Sequence, residues 1–529
     1  IHERLVGSEM CIRDRYKAMK KLLILIVTFV AVTASAQQEP PPRKSIELSG
    51  GRAADFPVGP FTDSWESLKD NYKTPQWFID AKFGIFIHWG VYSVAATGSE
   101  WYPRHMYGAL LKHHTENWGN PKKFGYKDFI PLFTAEKFDP DTWAILFKEA
   151  GAKYVIPTAE HHDGFALYDS KLTRWDAKDM GPKRDLIGDL AKAVRRQGIK
   201  FGVSNHRMEH WDFMYPTAAT EHDLYDPEYA DFYGPPQKPD KNKASAMGPS
   251  AEEVMEGKEA PQDQGFLEEW LARCQEIIDK YQPDILWFDN GINSRSLDPL
   301  KLRLAAYYYN RAAQWDKPVS LSTKHDAYLY GTITDYERQG RAPKDITSHY
   351  WQVDEPIGNK FGYIEGLQIQ SSSQIISKLV ENISRNGNLC LNISPKADGT
   401  IPENQQEVLR QIGHWMKING EAVYGTHAWM VYGEGPTVEK NKSEFDWRFT
   451  QKDKSTFYAY MMKWRGGKVV IKSFNIVNLG KIKKVELLGY DKHIKFVQTD
   501  EALEIVLPSE NPNINISCLL YTSPSPRDA

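Results

Sequence analysis

The stretch FLEEWLARCQEIIDKYQPDILWFDNG, residues 266–291, decides the fold. Leu267, Trp270, Leu271, Cys274, Ile277 and Ile278 recur at helical spacing, so residues 266–281 predict a helix with one apolar face. Gln282-Pro283 breaks it, because proline has no amide proton and clashes with the preceding turn. Ile285-Leu286-Trp287-Phe288 then reads as an apolar strand, and Asp289-Asn290-Gly291 closes it with a carboxylate and a turn. Helix, break, buried strand and acid make one β/α unit.

The unit repeats on both sides. Strand-like runs at 82–88, 153–157, 200–204, 284–289, 318–323 and 388–394 alternate with helical patterns at 186–198, 266–281, 300–315, 375–384 and 404–418. Polar residues gather where the strands run out: His88, His161-His162-Asp163, Asn205-His206, Asp289-Asn290 and Lys324-His325. A parallel barrel keeps its active site at that end, so residues 37–425 predict an α/β fold, a (β/α)8-like TIM barrel. Residues 426–517 change to short alternating strands (455–464, 468–474, 482–488, 502–507) between Gly- and Asn-rich turns, which predicts a small C-terminal β-sandwich. Residues 235–262, rich in Pro, Lys, Glu and Ala, are expected to form a mobile loop over the barrel mouth.

The ends read differently. Met19 opens a segment with two lysines, an apolar run from Leu22 to Val32 and then Ala34-Ser35-Ala36, the pattern of a signal peptide over residues 19–36. Residues 1–18 and 518–529 resemble translated sequencing adapter. The DNA AGATGTGTATAAGAGACA encodes Met10-Cys11-Ile12-Arg13-Asp14, and its reverse complement encodes Cys518-Leu519-Leu520-Tyr521-Thr522-Ser523. No other apolar run is long enough to span a membrane.

A net charge of −3 gives no basic surface for a nucleic acid. With 16 Trp, 27 Tyr and 15 His the chain suits a carbohydrate site, where rings stack on sugar faces. Of its four cysteines, Cys274 and Cys390 lie outside the adapter-like ends and read as core residues. A disulfide between them stays open, and no zinc spacing is present.

Asp289, at the end of its strand, projects into the expected barrel mouth. The competing reading is a turn or helix-cap residue. Trp287, two positions earlier and so on the same strand face, favours the functional one, since an indole beside a carboxylate suits a sugar ring. Glycosidic cleavage requires a second carboxyl group. Glu337 is the candidate, expected about one β/α unit further round. An exposed ion pair with Arg338 competes with that role, and Asp335 and Glu355 are rivals for it. His161 and His162 can both hydrogen-bond one ligand from their strand-end turn. No metal is expected there, because adjacent strand residues face opposite sides. His88 and the pair Glu100-Trp101 add strand-end and loop candidates.

Taken in order, several motifs resemble the α-L-fucosidase family, glycoside hydrolase family 29. They are residues 77–90 (WFIDAKFGIFIHWG), Glu100-Trp101-Tyr102, His161-His162-Asp163-Gly164-Phe165, Leu286-Trp287-Phe288-Asp289, residues 386–395 (NGNLCLNISP) with Asp398-Gly399, and residues 419–425 (NGEAVYG). The resemblance implies an exo-acting α-L-fucosidase that retains configuration, with Asp289 as nucleophile and Glu337 as acid/base. It implies that His88, Glu100, Trp101, His161, His162 and Trp287 line the sugar pocket, with Phe361 as a further wall residue. Two departures stand out. Ser322-Thr323-Lys324-His325-Asp326 replaces an Asn-Asp-Arg run, so Lys324 supplies charge without a planar two-pronged contact. Val203-Ser204-Asn205-His206 stands where others often place a tyrosine, which alters hydrogen bonding near the nucleophile. The expected substrate is a fucosylated oligosaccharide or glycoconjugate, with no cofactor, and the expected location is periplasmic or extracellular. Rival readings are an α-L-galactosidase and an inactive fucose-binding protein on the same fold.

Overall fold

The structure is a computed structural model that describes residues 56–216, 221–236, 262–324, 327–438, 441–513 and 515–522. Eight parallel strands close a barrel in sequence order. They are β1 (Phe83–Ile87), β2 (Tyr154–Glu160), β3 (Lys200–Asn205), β4 (Ile285–Phe288), β5 (Ser320–Lys324), β6 (Thr332–Asp335), β7 (Trp351–Pro356) and β8 (Gly387–Ile393). Pairing of Gly84 with Cys390 and Phe86 with Asn392 seals β1 against β8.

Strand alternation sorts the side chains. Phe86, Tyr154, Ile156, Ile285, Trp287, Ile333 and Cys390 fill the barrel interior as one buried cluster. Ile85, Ile87, Val155, Leu286 and Leu321 face outward and pack in the larger core with the helices. Those helices include α1 (Pro140–Glu149), α2 (Leu186–Arg196), α3 (Gln264–Tyr281), α4 (Asp298–Gln314), α5 (Ser372–Ile383) and α6 (Glu403–Val423). Asp139, Asp185, Asp263 and Ser371 cap four of them by accepting from backbone amides of the first turn. After α3, Gln282 adopts the left-handed conformation (φ 46°) and Pro283 follows, so the chain turns sharply into β4.

The six strands and five helices expected from sequence are all present. Two further strands, β6 and β7, were not expected. Their inward residues Asp335, Gln352 and Asp354 are polar and bond to one another or to Trp287, so neither strand shows an apolar run. The expected position of Glu337 changes with them. It follows β6, two strands beyond β4, because the β5–β6 connection is too short to hold a crossover helix.

The C-terminal domain is two antiparallel sheets, of order β13-β16-β11-β10-β9 and β12-β15-β14. The first holds β9 (His427–Glu434), β10 (Trp447–Gln451), β11 (Thr456–Met461), β13 (Lys484–Leu487) and β16 (Ser517–Thr522); the second holds β12 (Gly467–Ile471), β14 (Lys495–Gln498) and β15 (Leu503–Leu507). Trp429, Trp447, Phe449, Phe474, Val485 and Leu503 are among the residues of the core they share. One boundary shifts. Residues 518–522, read from sequence as adapter-derived, belong to β16, which pairs with both β11 and β13; Cys518, Leu519 and Tyr521 are buried there. The folded domain therefore runs to Thr522.

Cys274 and Cys390 are buried free thiols, so the disulfide left open above is not formed. Among the described residues no helix is long and apolar enough to cross a membrane. The expected signal peptide, residues 1–18, residues 523–529 and positions 237–261 of the expected mobile loop lie outside the described residues.

Candidate active site

The carboxyl ends of the strands converge on a cavity of about 100 Å³, walled by His88, Glu100, Trp101, His161, His162, Glu209, Asp289, Asn290, Lys324, Glu337, Asp354 and Phe361. A larger groove of about 460 Å³ lies between α1 and α6, with Glu149 as its one carboxylate, so it offers no pair of acids.

Asp289 follows β4 directly and is 8% exposed. Its Oδ1 lies 2.6 Å from Lys324 Nζ and its Oδ2 lies 2.9 Å from His206 Nδ1, with His162 Nε2 3.6 Å away. Burial pushes its carboxyl up, but Lys324, the His206 bond and the nearby His162 outweigh burial and hold it well below the usual carboxylate range. Asp289 is therefore ionised at neutral pH. Burial brings the His206 imidazole down to about 4 despite the carboxylate beside it. An ionised carboxylate only accepts hydrogen bonds, so neutral His206 donates through Nδ1–H and turns Nε2 to the Ser204 hydroxyl at 3.0 Å.

Lys324, the last residue of β5, also reaches Glu337 Oε2 at 3.3 Å. One ammonium thus touches both candidate carboxylates. The separation of Asp289 Oδ1 and Glu337 Oε2 cannot exceed those two lysine distances laid end to end, 2.6 and 3.3 Å. The two carboxyl groups therefore lie close enough to admit the roughly 5–5.5 Å spacing of a retaining pair. Arg341 Nη1 lies 2.9 Å from Glu337 Oε2, and Arg338 Nε lies 3.9 Å from Oε1.

The rivals fall away on geometry. Asp335 is buried under the cavity, where its Oδ2 accepts from Trp287 Nε1 and Gln352 Nε2, both at 2.7 Å. Glu355 turns toward α5, bound by Lys378 Nζ at 2.5 Å and by the Gln339 amide at 2.7 Å.

Most of the remaining expected residues meet in the cavity. His88 Nδ1 is 2.7 Å from Asn392 Oδ1, whose amide nitrogen donates to the Phe361 carbonyl at 2.8 Å. That chain fixes Nδ1 as the donor and frees His88 Nε2 as an acceptor. Phe361 packs on the same imidazole, ring centroids 5.0 Å apart. Glu100 Oε2 accepts the Gly362 amide at 2.9 Å; a side chain at Gly362 would bring its Cβ to 3.0 Å from the Glu100 backbone nitrogen. Trp101 meets the His162 ring edge to face at 6.0 Å. Trp287 does not line the cavity. It forms the layer beneath, against Phe86 at 4.9 Å and His206 at 5.1 Å, with Lys324 over its ring.

His161 and His162 correct one expectation. Both lie in the turn past β2, so strand alternation does not separate them, and their ring centroids are 4.1 Å apart. Donor atoms of His88, His161 and His206 lie within 4.8 Å of one another, as do those of His162, His206 and Asp289. These are metal-type donors, yet both His206 nitrogens are engaged with Asp289 and Ser204, and His162 Nδ1 with Glu209 Oε2 at 2.9 Å. The arrangement suits sugar hydroxyls better than an ion. Burial pulls His162 down, but Glu209 outweighs it and raises that imidazole, whereas burial and the neighbouring histidines keep His88 and His161 neutral.

Two wall residues escaped the sequence reading, Glu209 and Asp354, and His206, bonded to Asp289 from outside the wall, was not proposed as a site residue. His206 did carry a signal, since it is a polar residue just past a strand. Glu209 lies in a short 3-10 segment (Arg207–Asp212) with no periodic pattern to mark it. Arg207 in that segment bonds Glu160 and Glu269, and Arg273 bonds the same two acids, so a buried ring of four charges anchors it.

The sequence profile of the family described as alpha-L-fucosidase matches residues 53–421, and that of the alpha-L-fucosidase C-terminal domain matches residues 440–522. The tissue alpha-L-fucosidase of Rattus norvegicus is 32% identical over 470 residues, covering 85% of this chain and 89% of that protein. The Homo sapiens tissue enzyme is 30% identical over 509 residues, covering 93% and 94%. Among solved structures, a Thermotoga maritima alpha-fucosidase in complex with a mechanism-based inhibitor superposes with a TM-score of 0.70 at 30% identity, covering 88% of this chain and 100% of that one. The same enzyme in complex with fucose gives 0.68 at 30% identity, covering 87% and 100%.

Proposed function

The chain belongs to the α-L-fucosidase family, and from that membership we propose that Asp289 and Glu337 are its reacting pair. The enzyme hydrolyses terminal α-L-fucosyl linkages with retention of configuration. Asp289 attacks the anomeric carbon while Glu337 protonates the departing glycosidic oxygen, leaving a fucosyl ester on Asp289. Glu337 then takes a proton from water, the water oxygen bonds to the anomeric carbon, and the Asp289 carboxylate leaves. The observation that carries this assignment is Lys324, whose single ammonium lies 2.6 Å from Asp289 and 3.3 Å from Glu337. It keeps the nucleophile ionised. With Arg341, it stabilises the carboxylate that Glu337 becomes after giving up its proton.

His88, His161, His162 and Glu100 supply hydrogen bonds to the fucose hydroxyls, and Phe361 and Trp101 supply apolar wall beside them. These roles need no cofactor. The substrate is a fucosylated oligosaccharide or glycoconjugate. The protein is exported to the periplasm or beyond, a reading supported by the lysine-led apolar run and Ala34-Ser35-Ala36. N-terminal sequencing of secreted protein should begin near Gln37; retention of residues 19–36 would contradict export.

Hydrolysis of p-nitrophenyl α-L-fucoside by wild type, Asp289→Gly and Glu337→Ala tests the pair. Glu337→Ala should lose about 10²–10⁴-fold, the usual contribution of a general acid/base, and least on this activated leaving group. Asp289→Gly should be inactive, and full activity in it would sink the mechanism.

A further inference from the structure

We propose that Asp354 is a neutral carboxylic acid that accepts a hydrogen bond from the bound sugar, a substrate-positioning residue that rests on the fucosidase reading above and adds to it. Asp354 lies on β7, 1% exposed, in the cavity wall with Lys324, Glu337 and Phe361. Its neighbour Asp335, at the end of β6, receives three N–H donors: Trp287 Nε1 and Gln352 Nε2 on Oδ2, both at 2.7 Å, and the Asp354 amide on Oδ1 at 3.0 Å. The two side chains are hydrogen-bonded to each other. Among the described residues, no donor reaches Asp354 Oδ1.

Two buried carboxyl groups in hydrogen-bond contact cannot both ionise. Three N–H groups fix the charge on Asp335, so the shared proton resides on Asp354 and points back at Asp335. The other charged and titratable groups around Asp354 agree with that assignment. Burial and the charges of Asp335 and Glu337 hold its carboxyl well above the usual range against the opposing pull of Lys324, and the Cys390 thiol on β8 faces it uncharged. The Arg338 amide goes to the Asp354 main-chain carbonyl at 3.0 Å, not to its side chain.

A protonated acid bonded in this way keeps one carbonyl oxygen as an acceptor. It can take a hydrogen bond from a sugar hydroxyl without adding a negative charge to the cavity that holds the Asp289 carboxylate.

Asp354→Asn keeps the shape, a donor toward Asp335 and a carbonyl acceptor, so its kcat/KM should stay within about twofold of wild type with an unmoved acid limb. Asp354→Leu removes both, and its kcat/KM should fall about tenfold or more, mainly through KM. Infrared spectra of the unliganded enzyme should show a protonated-carboxyl C=O band that disappears in Asp354→Asn and persists in Glu337→Gln. That band does not depend on the substrate, so it separates failure of this proposal from failure of the fucosidase reading. An Asn variant as impaired as the Leu variant, a shifted acid limb in it, or an infrared band unaffected by Asp354→Asn would each overturn the neutral acid. A Leu variant that matches wild type would overturn the sugar contact. Should the Leu variant melt early, the Asn kinetics and the infrared band decide the matter alone.

Discussion

His206 Nδ1 donates to Asp289 Oδ2 across 2.9 Å, from the residue that follows β3 to the residue that follows β4. The bond leaves Oδ1 to Lys324 and restrains rotation of the carboxylate proposed to attack the anomeric carbon. His206→Phe keeps the ring and removes the bond. Its kcat/KM should fall by about 10–100-fold, the worth of one hydrogen bond to a charged group, while its melting temperature changes little. A loss in melting temperature that accounts for the whole loss of activity would assign His206 a packing role instead.

Lys324 is expected to set where the enzyme loses activity in acid. Its ammonium is the first of the charges that outweigh burial and hold the Asp289 carboxyl well below the usual range. The acid limb of kcat/KM due to Asp289 therefore lies below about pH 3.9, the ordinary aspartate value. Lys324→Gln should move that limb to higher pH. Stability follows the same sign: a depressed carboxyl contributes above its unfolded-state pKa, and the contribution is lost as pH falls through the folded one, so the variant should lose stability at a higher pH than wild type. An acid limb that stays in place in Lys324→Gln would contradict the electrostatic role.

Gly291, two residues past Asp289, sits at φ 90°, where a Cβ would come within 2.8 Å of Glu209 Cγ. Gly291→Ala combines left-handed strain with that contact and should destabilise the protein by about 1–3 kcal/mol in urea titrations. It should also lower kcat, because it pushes on the partner of His162. An Ala variant as stable and active as wild type would show that the turn relaxes freely.

Cys274 and Cys390 are buried thiols that burial holds well above the usual cysteine range. Activity and melting temperature should not respond to reductant, and alkylation should reach both thiols only after unfolding. A reductant-dependent melting temperature would point to a disulfide.

The sequence showed most of the barrel because six strands are apolar enough to stand out between amphipathic helices. β6 and β7 stayed hidden for a physical reason. Asp335, Gln352 and Asp354 turn inward and satisfy one another or Trp287, so these buried strands look polar in one dimension. Missing them placed Glu337 one strand too early. Asp289 was legible because an acid closes an apolar run, and His88, His161 and His162 because they sit at strand ends. His206 was visible as a strand-end polar residue, but its bond to Asp289 joins residues far apart in sequence. Glu209 gave no local signal, since its place depends on the buried Arg207, Glu160, Glu269 and Arg273 ring. Trp287 was placed on the correct strand face but one layer too high, because alternation gives direction and not depth.

The most direct test of Asp289 as nucleophile is azide rescue of Asp289→Gly, with the product's anomeric configuration read by NMR. Azide entering the space of the lost carboxylate should restore turnover of p-nitrophenyl α-L-fucoside and give the inverted β-L-fucosyl azide. No rescue, or rescue that yields only free fucose, would mean that Asp289 does not attack the sugar.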